Sequence, residues 1–455
     1  MNPAEPSIAI KPQEAAVASA PAVSPAPAKA ESLNTKDMRR ILASSFVGSA
    51  IEYYDFMLYA TAASLVFNKV FFANLGPGFA LFASFVTLAA GYIARPLGGV
   101  VFGHFGDRLG RKKMLVLSML IMGVGTTAIG LLPTTAQIGL AAPIALVLLR
   151  LVQGIAVGGE WGGAALMAIE HAPRKHRGFA AAFANAGGPA GAVLGTLALS
   201  LFAALSGDDF LVWGWRVPFL LSALLIVVGL VIRLKVAETP SFQRLQEAGE
   251  KKKVPLVDVL RNNPRAVLLG LAATTAFFVC QAMTTVWGVS VAIENGADKN
   301  GVLNIKAGAA VLTLIVCFYS ARLSDRIGRR QVLIGASLLG AVLAYPMLVL
   351  INDGTVWGFA LAIVLGNGLV QGFLYGPIAA YVAEQFPARN RYTGASVAYQ
   401  GASMIGAGFT PMIVAGLSLA AGGGIWLITA FWVLIMLGAA AAVRLTPEGT
   451  SRDID

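Results

Sequence analysis

From residue 41 to residue 443 the chain alternates long apolar runs with short polar or charged connections. The runs fall at 41–68, 80–104, 114–132, 141–168, 178–205, 215–236, 266–293, 305–322, 331–351, 356–383, 393–420 and 424–443. An α-helix rises 1.5 Å per residue, so about 20 apolar residues cross the ~30 Å hydrocarbon layer. Each run meets that length, most with some tilt. The pattern predicts an all-α membrane protein of twelve transmembrane helices. Residues 1–37 differ: they are rich in Pro and Ala and lack the basic-then-apolar order of a signal peptide, so they read as a disordered cytoplasmic tail.

The connections orient the chain. Lys and Arg gather on the cytoplasmic side of membrane proteins. With both termini in the cytoplasm, only Lys69, Arg216, Lys299 and Lys306 fall on the outer side, while Arg95 and Arg150 lie within runs. The connections also repeat. Asp107-Arg108-Leu109-Gly110-Arg111-Lys112 returns as Asp325-Arg326-Ile327-Gly328-Arg329-Arg330, and the same shift carries Leu151-Val152-Gln153-Gly154 onto Leu369-Val370-Gln371-Gly372. Two parallel six-helix halves follow, 38–236 and 265–445, joined by a charged cytoplasmic linker at 237–264 and ending in a cytoplasmic tail at 446–455. A binding site near mid-membrane between such halves is the logic of repeat-built transporters.

Composition narrows the classes further. Of 455 residues 57% are apolar and 13% charged, against roughly a quarter charged in soluble domains. A soluble enzyme, a disordered protein and a nucleic-acid-binding domain are excluded. The net charge of +11 is scattered in short clusters between apolar runs, as topology requires. Cys280 and Cys317 lie in apolar stretches and read as small core residues rather than metal ligands. Neither His-Glu-x-x-His nor a phosphate-cradling Gly-x-x-x-x-Gly-Lys-Ser/Thr loop is present, which argues against an enzyme and an ATP-driven pump. No metal and no cofactor beyond a coupling proton is expected.

Ionisable groups inside a bilayer are expensive and by default functional. Five stand well inside the runs, away from their ends: Glu52, Asp55, Arg95, Arg150 and Glu160. Glu52 and Asp55 sit three residues apart on one helical face, where two carboxylates cannot both ionise readily without a compensating cation. Arg95 and Arg150 can supply that compensation, and an Arg fork also clamps a carboxylate substrate. The expected cycle starts from Arg–carboxylate pairs; protonation of Asp55 or Glu52 releases an Arg to hold an organic anion. Tyr54 and Gln153 join Arg95, Arg150 and Glu160 as candidate substrate contacts. In the second half the candidates are uncharged: Gln281, Gln371, Tyr375, Tyr399 and Gln400. A conformational latch is expected at Gly103, Asp107, Arg108, Gly110 and Arg111 and at their second-half counterparts Asp325, Arg326, Gly328 and Arg329. The glycines in 154–163 suit close helix packing.

The loop Gly103–Lys113 and its second-half copy resemble the signature loop of the major facilitator superfamily. More specific stretches are Ile51-Glu52-Tyr53-Tyr54-Asp55-Phe56, Ala94-Arg95-Pro96-Leu97-Gly98-Gly99, Arg150-Leu-Val-Gln153-Gly154-Ile-Ala-Val-Gly158-Gly159-Glu160-Trp161-Gly162-Gly163, Trp213-Gly214-Trp215-Arg216-Val217-Pro218-Phe219 and Glu238-Thr239-Pro240-Ser241-Phe242, followed by Glu384 with Arg391-Tyr392-Thr393-Gly394. Together, over about residues 40 to 445, they resemble the metabolite:proton symporter branch, whose members move organic acids and zwitterions with protons. The resemblance implies a monomeric inner-membrane importer of a small organic acid: a shikimate-like monocarboxylate first, di- or tricarboxylates second, betaine-like zwitterions third. Two features depart from the pattern. Asn185-Ala-Gly187-Gly188-Pro189-Ala-Gly191 is similar to part of a motif of drug/proton exporters, which keeps a proton-coupled exporter as the alternative. Gly368 stands where Arg150 would repeat, so charge is concentrated in the first half.

Overall fold

The computed structural model describes residues 35–75, 77–235 and 255–449. The tail at 1–34 and most of the linker, 236–254, lie outside the described residues. Twelve long helices run in the order expected. In the first half they are α1 (Thr35–Ala62, continued by a π-helical turn Ala63–Phe67), α2 (Pro77–Leu109), α3 (Arg111–Leu131), α4 (Ala141–His171), α5 (Arg177–Ser206) and α6 (Arg216–Leu234). In the second they are α7 (Pro264–Ala282, then π-helical Met283–Trp287), α8 (Lys299–Ile327), α9 (Arg329–Asn352), α10 (Val356–Ile363, π-helical Val364–Gln371, Gly372–Ala383), α11 (Arg391–Ser403, π-helical Met404–Phe409, Thr410–Ala420) and α12 (Trp426–Leu445). A short helix, Pro255–Asn262, ends the linker.

Eleven of these are long and apolar enough to cross a membrane by composition alone. The twelfth, α1, is diluted by Ser44, Ser45, Ser49, Glu52 and Asp55, all buried. The outer surface is apolar, with Leu148, Leu197, Leu201, Leu224 and Val342 among its exposed residues, as a lipid-facing surface requires.

The two halves pack alike. Within the first, α1 lies along α5, α2 on α4 and α3 on α6; within the second, α7 lies along α11, α8 on α10 and α9 on α12. Between halves α5 meets α8 and α2 meets α11, again a symmetric pair. The sequence repeat is therefore a structural one. Small residues permit the closest crossings: a Cβ at Gly158 would collide with the Arg95 carbonyl of α2. The repeated loops also share a backbone. Gly110 has φ 106° and ψ 145°, and Gly328 has φ 101° and ψ 150°. Glycine alone reaches that region without strain, so the motif keeps it at the turn that starts α3 and α9.

Candidate functional site between the halves

α1, α2 and α4 carry the charged residues into the protein, and the structure divides them into three places. The first lies inside the first half. Asp55 is buried, and its Oδ1 accepts a hydrogen bond from Ser222 Oγ of α6 at 2.5 Å; its Oδ2 has no hydrogen-bond partner among the described residues. Arg150 is 1% exposed. Its guanidinium carbon lies 4.1 Å from the Tyr59 ring centroid and 4.6 Å from that of Phe56, and its Nη1 donates to Gln153 Oε1 at 3.4 Å. Among the described residues its Nε and Nη2 have no hydrogen-bond partner. Gly91 of α2 leaves room for this side chain, since a Cβ there would stand 2.7 Å from Nε. Gln153 passes the chain on, donating to Thr126 Oγ1 of α3 at 2.8 Å.

The second place is the interface of the halves at mid-membrane. Arg95 lies over the rings of Phe56 and Tyr92 at 4.5 and 4.4 Å, and its Nη1 donates to Ser403 Oγ of α11 at 3.4 Å. Glu52 sits in the electrostatic field of Arg95 and Arg233, with Asp55 and Glu160 opposing, and its Oε2 has no hydrogen-bond partner among the described residues. Around them an aromatic and amide layer spans the halves. Tyr375 OH donates to Tyr53 OH at 3.3 Å and its ring stacks on Phe277 at 4.3 Å. Tyr399 stacks on Trp161 at 3.4 Å, with its buried OH unpartnered. Asn185 accepts from Trp161 Nε1 at 2.9 Å and donates to the Tyr375 carbonyl at 2.5 Å, while Gln400 Nε2 donates to the Gly158 carbonyl at 3.2 Å.

The third place holds Glu160. Glu160 pairs not with Arg150 but with Arg233 of α6 in a two-pronged contact, one prong at 3.0 Å, and accepts from Ser118 Oγ at 2.5 Å. Arg233 also donates to the Leu115 carbonyl at 2.6 Å. Both charges are satisfied by protein and buried, and the pair ties α3, α4 and α6 together. Breaking one side of such a pair strands a buried charge and costs about 3–5 kcal/mol. Glu160→Leu should therefore lower the unfolding midpoint of the purified protein in detergent, and adding Arg233→Leu should recover most of the loss.

Other expected contacts also lie elsewhere. Tyr54 turns into the first half, donating to the Pro218 carbonyl at 2.8 Å. Gln153 is spent on Arg150 and Thr126. Gln371 accepts from Asn367, which in turn accepts from Thr313 Oγ1 at 2.9 Å, a network internal to the second half. Gln281 is half-buried on α7. Ser222 and Arg233 are given no site role by the sequence; Ser403 stands with Tyr399 and Gln400 among the polar membrane residues of the second half, and Phe56 stands inside a quoted motif without a role. Tyr53, Trp161 and Asn185 stood inside quoted motifs without a role.

At the end of the bundle that carries the repeated loops the halves are fastened. The Asp325 carboxylate accepts from the amides of Gly178 and Phe179, each at 2.9 Å, at the start of α5, where the helix dipole favours an anion. Arg329 holds Asp325 at 2.6 Å and Glu384 at 3.4 Å. Burial pushes the Glu384 carboxyl above its usual range, against the pull of Arg329. Glu170 and Arg391 pair across the halves at 3.0 Å, and Tyr392 OH donates to the Gly159 carbonyl at 2.6 Å. A Cβ at Gly103 would stand 2.8 Å from the Thr393 backbone. Arg108 and Arg326 are exposed, while the Asp107 and Arg111 side chains lie outside the described residues.

The model of the Major Facilitator Superfamily matches residues 45–389, with a second match over 304–453. The chain belongs to the major facilitator superfamily. It is 40% identical over 393 residues to the shikimate transporter of Escherichia coli strain K12, covering 85% of this chain and 89% of that one. It is also 40% identical to the inner membrane metabolite transport protein YhjE of the same organism, over 83% and 87% of the two chains, and 33% identical to the proline/betaine transporter of Salmonella typhimurium strain LT2, over 83% and 77%. In structure it matches the proton:xylose symporter XylE bound to 6-bromo-6-deoxy-D-glucose with a TM-score of 0.75 at 18% identity, covering 91% of this chain and 97% of that one. The protein is thus a metabolite transporter of the superfamily, not an enzyme, and the mid-membrane layer between its halves is the candidate transport site.

Proposed function

We propose that this transporter imports a small organic acid together with protons by alternating access, as a monomer in the bacterial inner membrane with both termini cytoplasmic. The observation that carries this reading is a set of buried charges with unmet hydrogen bonds. Among the described residues Arg150 keeps two donors without partners, while Asp55 and Glu52 each keep one such oxygen. Buried polar groups are normally satisfied, and exceptions mark sites that await a ligand or a proton. Cations without a paired carboxylate attract an anion, and carboxylates in a low-dielectric site bind protons.

In this reading the aromatic layer of Tyr53, Tyr375, Tyr399 and Trp161 supplies apolar surface and hydroxyls for a hydroxylated carboxylate, with Gln281 and Gln400 as further contacts. The contacts of Asp325, Arg329, Glu170 and Arg391 act as the latch that closes the cytoplasmic end while the site faces outward. The 40% identity to a shikimate transporter favours a hydroxylated monocarboxylate over di- or tricarboxylates. The test is uptake of a panel of labelled organic acids, with betaine included, at two external pH values in cells lacking their own uptake. One hydroxylated monocarboxylate should accumulate, and faster at the lower pH. Acceptance of betaine with refusal of every acid would overturn the substrate assignment. Extrusion of an acid on proton entry would favour the exporter.

A further inference from the structure

We propose that Phe56 is the positioning residue that couples the proton site to the substrate site, a step that rests on the proton-coupled reading above. One aromatic ring serves two cations: the guanidinium carbons of Arg95 and Arg150 lie 4.5 and 4.6 Å from the Phe56 centroid. Phe56 is 4% exposed and its ring meets Tyr92 edge-on at 5.0 Å, so it has little freedom to move alone. Through Arg150 it borders the Asp55 compartment, where Asp55 is faced by Arg150 from α4, Ser222 from α6 and Thr126 from α3. Through Arg95 it borders the interface, where Arg95 reaches Ser403 and Glu52 is faced by Arg95 from α2, Arg233 from α6 and Glu160 from α4.

A ring attracts a cation through its quadrupole, and that attraction is finite and shared. With Asp55 ionised, Arg150 is drawn toward the carboxylate and the ring is left to hold Arg95. With Asp55 protonated, Arg150 loses that attraction and settles on Phe56 and Tyr59. Its charge then pushes Arg95 away from the shared ring and into the interface, where a carboxylate substrate meets it. Proton binding thereby raises affinity for the anion, and by reciprocity the bound anion raises proton affinity. The motif Glu52-Tyr53-Tyr54-Asp55-Phe56 places this ring next in sequence to the carboxylate whose state it relays.

The test uses purified protein in liposomes, with two readouts: accumulation driven by a pH gradient, and exchange of labelled for unlabelled substrate without a gradient. For one proton per monoanion, wild type should accumulate about tenfold per pH unit. Phe56→Leu, apolar and without a ring face, should fall to no accumulation while exchange remains measurable, and its uptake should lose its pH dependence. Phe56→Tyr, which keeps the ring, should accumulate like wild type. Phe56→Met serves in place of Phe56→Leu should the latter fail to insert. Wild-type accumulation by the Leu or Met variant overturns the proposal, as does loss of exchange together with accumulation, or equal loss in Phe56→Tyr. If wild type itself shows no proton-driven accumulation, the failure belongs to the functional reading instead.

Discussion

Replacing Asp55 with Asn should abolish accumulation against a gradient. The side chain keeps its size, and its carbonyl can still accept from Ser222, which holds Oδ1 at 2.5 Å, but it can neither lose nor gain a proton. One pH unit is worth about 1.36 kcal/mol per proton, or about a tenfold concentration ratio for an electroneutral monoanion symport. The variant should lose this whole factor, giving equal concentrations on the two sides of a liposome at any imposed pH gradient. Exchange should persist, because Asn is neutral like the protonated acid and leaves Arg150 in the arrangement that favours the anion. Accumulation by Asp55→Asn equal to wild type would remove Asp55 from the coupling role. Glu52 would then be the next carboxylate to replace, since its Oε2 is the other buried carboxylate oxygen on α1 without a partner among the described residues.

The fold was legible because its signals are local or periodic. Apolar runs set the twelve helices, and the returning Asp-Arg-x-Gly-Arg loop announced a doubled architecture that Gly110 and Gly328 realise with matching backbone angles. Partnership among charges was not legible. Glu160 and Arg150 lie ten residues, about 15 Å, apart along α4, and Glu160 finds Arg233, a residue that topology counting assigns to the cytoplasmic face because it ends an apolar run. In the structure Arg233 is 3% exposed, with its guanidinium between α3 and α4. Nothing in one sequence says which helices are neighbours, and a buried pair is decided by neighbours. The same limit applies to Tyr54, whose hydroxyl turns to α6, and to Phe56, an apolar residue whose interest comes only from the two guanidiniums beside it. Cross-half contacts such as Trp161 on Tyr399 depend on how the two halves meet, which the repeat implies but does not specify.

Arg95→Ala should produce the largest loss of substrate affinity. Arg95 is the cation whose guanidinium already reaches the other half, through Ser403, and it is held by rings rather than by an ion pair. A hydrogen bond to a charged group contributes about 1.5–3 kcal/mol, so KM for an organic anion should rise about 10- to 150-fold, with maximal exchange rate changed far less. Arg95→Lys should recover only part of the loss, because an ammonium keeps the charge but not the fork that meets a carboxylate in two places. The comparison with Arg150 separates the two arginines. Arg150 is 1% exposed and enclosed by Tyr59, Phe56 and Gln153, so its replacement by Ala should act through Asp55 and flatten the pH dependence of uptake. If Arg95→Ala instead leaves KM unchanged and flattens the pH profile, the two roles are reversed and the anion binds deeper in the first half.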